Sequence, residues 1–380
     1  MIQKNYQQLA LELHKELQGK ISSKSKIDVK NEDDLSLVYT PGVGAVSQLL
    51  ASQPELASEY TIKHNTVAVI SDGSAVLGLG NIGPYGALPV MEGKAMLFSQ
   101  LAGLNSFPIV LNTQDIDEIV QTIKNIAPVF SAINLEDIQA PQCFEIEKRL
   151  QKDLDIPVVH DDQHATAIVV LAGLINALKV VKKDADATKV TILGAGAAGI
   201  GVARLLVHYG FADIILVDSK GIISNSRADL NSEKRALVGL TNKQQKDGDL
   251  QSAISGADVF IGLSSGGKLP KQYIAQMSSE PIIFALANPE PEILPSDAID
   301  AGAAVVASGR SDYANQINNV LVFPGLFKGL IENRITEVTD DVKLRAAKAL
   351  ASVVNSPSAN KIIPSVFDDG VVLAIAQNIA

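Results

Sequence analysis

Apolar and polar positions along the chain fall into two alternating kinds of block. Short continuous apolar runs, VAVI (67–70), PIVL (108–111), AINL (132–135) and PVV (157–159), each stop at a polar residue. This is the pattern of strands buried on both faces. Between them lie segments of helical period, IDEIVQTIKNIA (116–127) and CFEIEKRLQKDL (143–154). Alternating strands and helices predict an α/β domain with a largely parallel sheet, whose ligands collect at the carboxyl ends of the strands. A long helical stretch, ATAIVVLAGLINALKVV (165–181), leads into a second series: KVTIL (189–193), DIILVD (213–218), DVFIGLSS (258–265), PIIFALAN (281–288) and AAVVASG (303–309). The chain is therefore expected to be α/β throughout, with an N-terminal domain over 1–162. A Rossmann-like, doubly wound parallel-sheet domain over 163–380 follows, its tail of helices including DDVKLRAAKALASVV (340–354). At the start, Leu9, Leu13 and Leu17 recur every four residues, which predicts a short amphipathic helix before the polar linker SSKSKIDVKNEDD (22–34).

Composition narrows the function. With 380 residues and 47% hydrophobic content, the chain can build two sizeable cores. A formal charge of -10 argues against nucleic-acid binding, which needs clustered Lys and Arg. The N-terminus carries charges throughout and has no signal-peptide core, and no run is expected to span a membrane. A single cysteine, Cys143, allows no internal disulfide and points to a reducing cytoplasm.

Strand KVTIL runs directly into Gly194-Ala195-Gly196-Ala197-Ala198-Gly199, and the helix IGVARLLVHYG follows. Glycines so spaced permit a tight turn, close approach of a pyrophosphate and close helix packing, and the helix N-terminus favours phosphate charge. Asp218 closes the next strand 24 positions after Gly194, near the spacing expected of a ribose-binding acid. Its carboxylate would repel a 2′-phosphate, so NAD is favoured over NADP, although Lys220 could partly offset that repulsion.

Two pairs of acids follow two of the predicted strands, Glu136 and Asp137 after AINL, and Asp161 and Asp162 after IPVVH. Carboxylates gathered at neighbouring strand ends suit a hard cation such as Mg²⁺ or Mn²⁺. His160 and His164 raise zinc as a candidate, but they straddle a strand-to-helix junction and Cys143 has no companion thiols. Taken singly, each acidic pair could equally cap a helix or sit in solvent. Within SDGSAVLGLGNIGPYGALPVMEGKAMLF (71–98), the lone Lys94 lies in an apolar segment. It is either a core-edge lysine that snorkels to solvent or a buried one, its pKa lowered by desolvation into the range of a usable base.

These motifs together resemble the malic enzyme family, in its shorter bacterial type. The resemblance runs in order through VYTPGVG (38–44), the 71–98 segment, NLEDIQAPQCFEIEKRL (134–150), IPVVHDDQHATAI (156–168) and the Gly194 fingerprint. It continues through GADVFIGLSS (256–265), FALANPEPEI (284–293) and GRSDYANQINNVLVFPGLFKGLI (309–331). It implies a malic-type N-terminal domain and oxidative decarboxylation of L-malate to pyruvate and CO₂. NAD would be the acceptor, Mn²⁺ or Mg²⁺ the metal, and a homodimer the assembly. By the same resemblance Tyr39 is the general acid and Lys94 the general base. Glu136, Asp137 and Asp162 are the metal ligands, with Asp161 an acid behind them near the lysine. Asn288 and Asn318 touch nicotinamide and substrate, although Asn-Pro and Asn-Asn also form turns. Ala75 stands where larger members carry a carboxylate-gripping arginine, so that role passes to Arg310 or to a partner subunit. The end at Ala380 implies no acyltransferase-like extension. Two other readings stay open: malolactic conversion of malate to lactate with NAD retained, and a non-catalytic NAD-binding sensor of metabolites.

Overall fold

A computed structural model of the protein describes residues 6–379. Four parallel strands, β1 (Thr66–Ser71), β2 (Asn105–Val110), β3 (Ala132–Leu135) and β4 (Val158–His160), form one sheet in the order β2-β1-β3-β4. Six more form a second sheet: β5 (Lys189–Leu193), β6 (Asp213–Asp218), β7 (Gly221–Ile222), β8 (Val259–Gly262), β9 (Ile282–Ala285) and β10 (Val305–Ser308). Their order is β10-β9-β8-β5-β6-β7, and only the β6–β7 pair is antiparallel. Both sheets are the α/β architecture that the apolar blocks predict; β1, β3, β8 and β9 are buried throughout as expected of strands covered on both faces, whereas β2, at the edge of its sheet, is only half-buried.

The helix Asp161–Val181 joins the sheets, and most of its side chains are buried in one core that extends through both halves. The division expected at 162/163 falls in its first turn. By length and composition this helix could cross a membrane, contrary to the expectation that no run would; its apolar surface is instead covered by protein. The predicted N-terminal helix is present as Tyr6–Leu17, but Leu9, Leu13 and Leu17 are all exposed. None of its residues is buried, and it borders the rest of the chain through His14, which lines the cleft above Lys94.

The helix Gly83–Leu97 enters with Pro84 in its first turn and buries Ala87, Met91, Lys94 and Ala95. Positions 87, 91, 94 and 95 share one helical face, so Lys94 is carried inward with the apolar residues rather than snorkelling. Phe98, just beyond, meets Phe323 and Phe327 edge-on, with ring centroids 4.8 and 5.1 Å apart.

Candidate active site

Strands β3 and β4 are neighbours in the sheet, so the residues after each strand end lie side by side. Glu136 and Asp137 leave β3, and Asp161 and Asp162 begin the helix after β4, where the helix dipole favours negative charge. Adjacency in the sheet thus brings together acids 25 positions apart: the backbone N–H of Asp137 donates to Asp162 Oδ2 at 3.1 Å. Lys94 drops into this group, its Nζ 2.5 Å from both Glu136 Oε2 and Asp161 Oδ2 and 4.4 Å from the Phe323 ring centre. Asn134 adds a 2.9 Å hydrogen bond to Glu136 Oε2, and the Asn319 amide donates to Asp161 Oδ2.

Charge is out of balance here. Burial raises the pKa of all four carboxyls, Asp162 and Glu136 raise Asp137 further, and Lys94 acts in the opposite direction. Asp137 Oδ2 and Asp161 Oδ1 are buried without a hydrogen-bond partner among the described residues. Oxygens of Glu136, Asp161 and Asp162 lie within 4.8 Å of one another. A crowd of hard oxygens with two unsatisfied lone-pair sites fits a divalent cation of the Mg²⁺ or Mn²⁺ type. This compact trio includes Asp161, placed by the resemblance behind the ligands; Asp137 instead lines the cleft above them.

The expectation that burial gives Lys94 a lowered pKa is overturned. Desolvation does push it down, but the charges of Asp161, Glu136 and Asp162 push harder, and the net shift is upward. Lys94 in this acid set is a firmly held cation.

Of the histidines weighed for zinc, only His164 has its ring committed elsewhere; the His160 ring nitrogens are buried without a hydrogen-bond partner among the described residues, with Nε2 3.8 Å from Asp162 Oδ2. His164 Nε2 lies 2.9 Å from Glu147 Oε1, and the His160 backbone N–H donates to the same carboxylate at 2.7 Å. Burial drives the His160 imidazole down to about 4, so it is neutral at physiological pH.

A cleft of about 700 Å³ opens above the acids. Its walls include Ala75, Lys94, Glu136, Asp137, Asp162, Asn288, Asn318 and Asn319, and it reaches the nucleotide loop at Ala198 and Ser264. Asn318 is a turn former here, its Oδ1 accepting from the Val320 N–H at 2.9 Å, and the next residue, Asn319, bonds the acid cluster. Sequence reasoning singled out Asn318 and missed Asn319; the adjacency in NQINN was the only signal. Arg310 is not in the cleft: its guanidinium forks onto Asp312 at 2.9 and 2.7 Å, so it offers no clamp for a carboxylate there. Among the described residues, the lysines and arginines that line the cleft are Lys94 and Lys20, whose Nζ donates to the Pro89 carbonyl at 2.6 Å. Tyr39 does not line it either; it is 63% exposed.

A second cavity, about 580 Å³, lies over the glycine loop and Asp218. A Cβ on Gly194 would sit 2.3 Å from the Leu263 carbonyl oxygen and one on Gly199 1.8 Å from that of Gly194, whereas Gly196 faces open space. The three glycines thus divide the work as the fingerprint predicts: a tight turn at Gly194, free approach at Gly196 and close packing of the helix Ala197–Tyr209 at Gly199. Asp218 is not a bare acid. Arg227 holds it with two contacts, at 2.7 and 3.2 Å, and Lys234 Nζ lies 2.6 Å away. Lys220, expected beside it, pairs with Asp229.

A dinucleotide fold whose glycine loop faces a lysine and a carboxylate cluster across one cleft defines a nucleotide-dependent enzyme of acid–base chemistry. Residues 18–151 match the malic enzyme N-terminal domain and residues 163–380 the malic enzyme NAD-binding domain. The chain is 52% identical to the bifunctional malic/malolactic enzyme of Bacillus subtilis over 98% of this chain and 91% of that one. It is 54% identical to the NAD-dependent malic enzyme of Geobacillus stearothermophilus over 94% and 75% of the two chains. It superposes on the crystal structure of the NAD-dependent malic enzyme from Thermotoga maritima with a TM-score of 0.95, at 47% identity, covering 97% and 98% of the chains. The protein belongs to the malic enzyme family.

Proposed function

We propose that the protein oxidises L-malate with NAD and releases pyruvate and CO₂, with a divalent cation held by Glu136, Asp162 and their neighbours Asp137 and Asp161. The observation that carries this reading is the wedge of Lys94 between Glu136 and Asp161 on the floor of a cleft shared with the nucleotide loop. When bound, the nucleotide supplies a hydride acceptor, and the cation supplies charge that steadies the enolate left by CO₂. Lys94 accepts the proton of the C2 hydroxyl, and Asp161, in contact with its Nζ, is placed to hold that proton's charge. Proton transfer to Lys94 requires the negative charge around it to be offset first, because Asp161 and Glu136 are what raise its affinity for a proton. Asn319 fixes the carboxylate of Asp161 from the opposite wall. The family resemblance assigns Tyr39 the return of a proton to C3, a role that the position of Tyr39 outside the cleft of its own chain does not itself support.

Appearance of NADH at 340 nm with malate, NAD and Mn²⁺ tests the reading, and its absence under all nucleotide and metal combinations would overturn it. The relative named for both malic and malolactic activity favours a second reading. Lactate formed without free NADH would establish that one instead.

Asp218 sets the nucleotide preference through what it masks. Replacing Asp218 by alanine removes the repulsion toward a 2′-phosphate and frees Lys234, together with the Nη1 of Arg227 that Asp229 does not hold, to pair with it. The ratio of kcat/KM for NADP to that for NAD is expected to rise at least roughly tenfold, since each charge-assisted hydrogen bond contributes about 1.5–3 kcal/mol. An unchanged ratio would show that neither cation reaches the nucleotide.

A further inference from the structure

Malate brings two carboxylates into the cleft, and few charges are free to meet them. Lys94 is spent on Glu136 and Asp161, Arg310 on Asp312, and Ala75 offers no charge. Among the described residues that line the cleft, the remaining lysine is Lys20, and its place is built. The helix Tyr6–Leu17 is followed by two left-handed residues, Gln18 at φ 54° and Gly19 at φ 121°. This reversal lays Lys20 on the helix Gly83–Leu97, its backbone N–H donating to Glu92 Oε2 at 3.3 Å and its Nζ to the Pro89 carbonyl at 2.6 Å. Glycine at 93 leaves room for the amine: a Cβ there would meet Lys20 Nζ at 3.4 Å and, beyond its own helix backbone, nothing else within 4 Å. Pro89, Val90, Gly93, Lys94 and Leu97 make the stripe of this helix that lines the cleft, so the Lys20 amine stands over the position next to Lys94 on one wall.

The two lysines keep different company. Lys94 contacts two carboxylates, whereas the Lys20 ammonium contacts a neutral carbonyl and has no acid within ion-pair distance among the described residues. An ammonium has three N–H donors, and the Pro89 carbonyl takes one, so two are left for an incoming anion. Burial pushes the Lys20 pKa down and the charge of Glu92 only partly opposes it, which leaves a cation short of countercharge.

The reaction selects which carboxylate this cation can usefully hold. The C4 carboxylate departs as neutral CO₂, and a cation on it would stabilise charge that the transition state must give up, so the barrier would rise. The C1 carboxylate keeps its charge from malate through to pyruvate, and a cation there binds substrate and product alike.

We propose that Lys20 is the carboxylate clamp of the site, its ammonium gripping the C1 carboxylate in the role that larger members of the family give to an arginine at the position of Ala75. The proposal rests on the malate reading for the identity of the acid.

Lys20→Met and Lys20→Arg test it. Methionine keeps the length of the side chain and the backbone bond to Glu92 and removes the charge. Lys20→Met is expected to raise the KM for malate ~10–100-fold, the range for loss of a charge-assisted hydrogen bond. The inhibition constant of pyruvate should rise by the same factor, because pyruvate keeps the C1 carboxylate. The kcat and the KM for NAD should stay within about threefold of wild type, as for a group that binds ground state and transition state alike. Lys20→Arg should restore most of the affinity for both acids. An unchanged KM for malate overturns the proposal. So does a raised KM beside an unchanged pyruvate constant, which puts Lys20 on the departing C4 group, and so does a fall in kcat that arginine does not restore, which marks Lys20 as an anchor of its segment. A wild type inert toward malate overturns the functional reading alone. Calorimetric titration of pyruvate with Mn²⁺ and NADH present then decides the clamp: weaker binding to Lys20→Met than to wild type upholds it, and equal or absent binding overturns it.

Discussion

Replacing Lys94 by alanine lowers kcat roughly 10²–10⁴-fold, the range for loss of a positioned general acid–base group. NAD affinity, followed by calorimetry, stays close to wild type because Lys94 does not line the cavity over Gly194, Gly196 and Asp218. The loss is large because no other lysine among the described residues lines the cleft with its amine free. Lys20, the other lysine lining the cleft, is held on the Pro89 carbonyl. The substitution also strands negative charge, since Lys94 is the cation that contacts Glu136 and Asp161 directly. The variant should therefore show a tighter apparent affinity for Mn²⁺ in the absence of malate, as the cation becomes the only compensation for the cluster. Lys94→Arg keeps the charge and should restore the Mn²⁺ affinity but not the rate, because a guanidinium does not give up its proton in this pH range. Near-wild-type turnover of Lys94→Ala at saturating malate and Mn²⁺ would remove Lys94 from the chemistry.

The charge state of Lys94 shows where sequence reasoning stops. Burial of a lysine in an apolar segment is legible, because positions 87, 91, 94 and 95 repeat on one helical face. Its pKa is not, because the deciding charges arrive from residues 42 and 67 positions away. The strands themselves were legible as apolar runs, and the carboxylates were legible as residues following strand ends. Their convergence on one point needed the strand order, in which β3 and β4 are neighbours. The same limit explains Asp218: its place at the end of β6 follows from periodicity, whereas its masking by Arg227 and Lys234 depends on a loop and a helix folding back over it. Asn319 was hidden for a different reason. Two adjacent asparagines have equal propensity for the turn, and only the backbone geometry decides which one caps it and which one is left to reach Asp161. The leucines of the N-terminal helix gave a correct secondary structure but not its surroundings, since periodicity reports an apolar face without saying what covers it.

Glu147→Ala is expected to lower the free energy of unfolding by about 3–5 kcal/mol, since it takes the acceptor from several buried donors at about 1–3 kcal/mol each. Glu147 lies under the acid cluster, on the helix Gln142–Asp153, and is 5% exposed. Its carboxylate accepts from the His160 backbone N–H at 2.7 Å and from Gln163 Nε2 at 2.8 Å, and it contacts His164 Nε2 at 2.9 Å. Truncation leaves these donors buried with no acceptor, at the junction that holds β4 and the start of the Asp161 helix in place. Burial alone would raise the Glu147 carboxyl; the charge and hydrogen bond of His164, with His160 behind them, outweigh it and hold the group down at about 2. The sign of the pH dependence follows. The folded pKa lies below the unfolded value near 4.5, so the stabilisation is fully present above pH 4.5 and is lost as the pH falls toward 2. Urea unfolding of wild type and variant should therefore differ most at pH 6–8, and the gap should narrow steadily below about pH 4.5. Glu147→Gln keeps one acceptor oxygen for the His160 N–H but turns an amide N–H₂ toward other donors, so it should fall between the two. A difference that is the same at pH 7 and pH 3 would mean that the carboxylate's charge contributes nothing and that Glu147 holds β4 by packing alone.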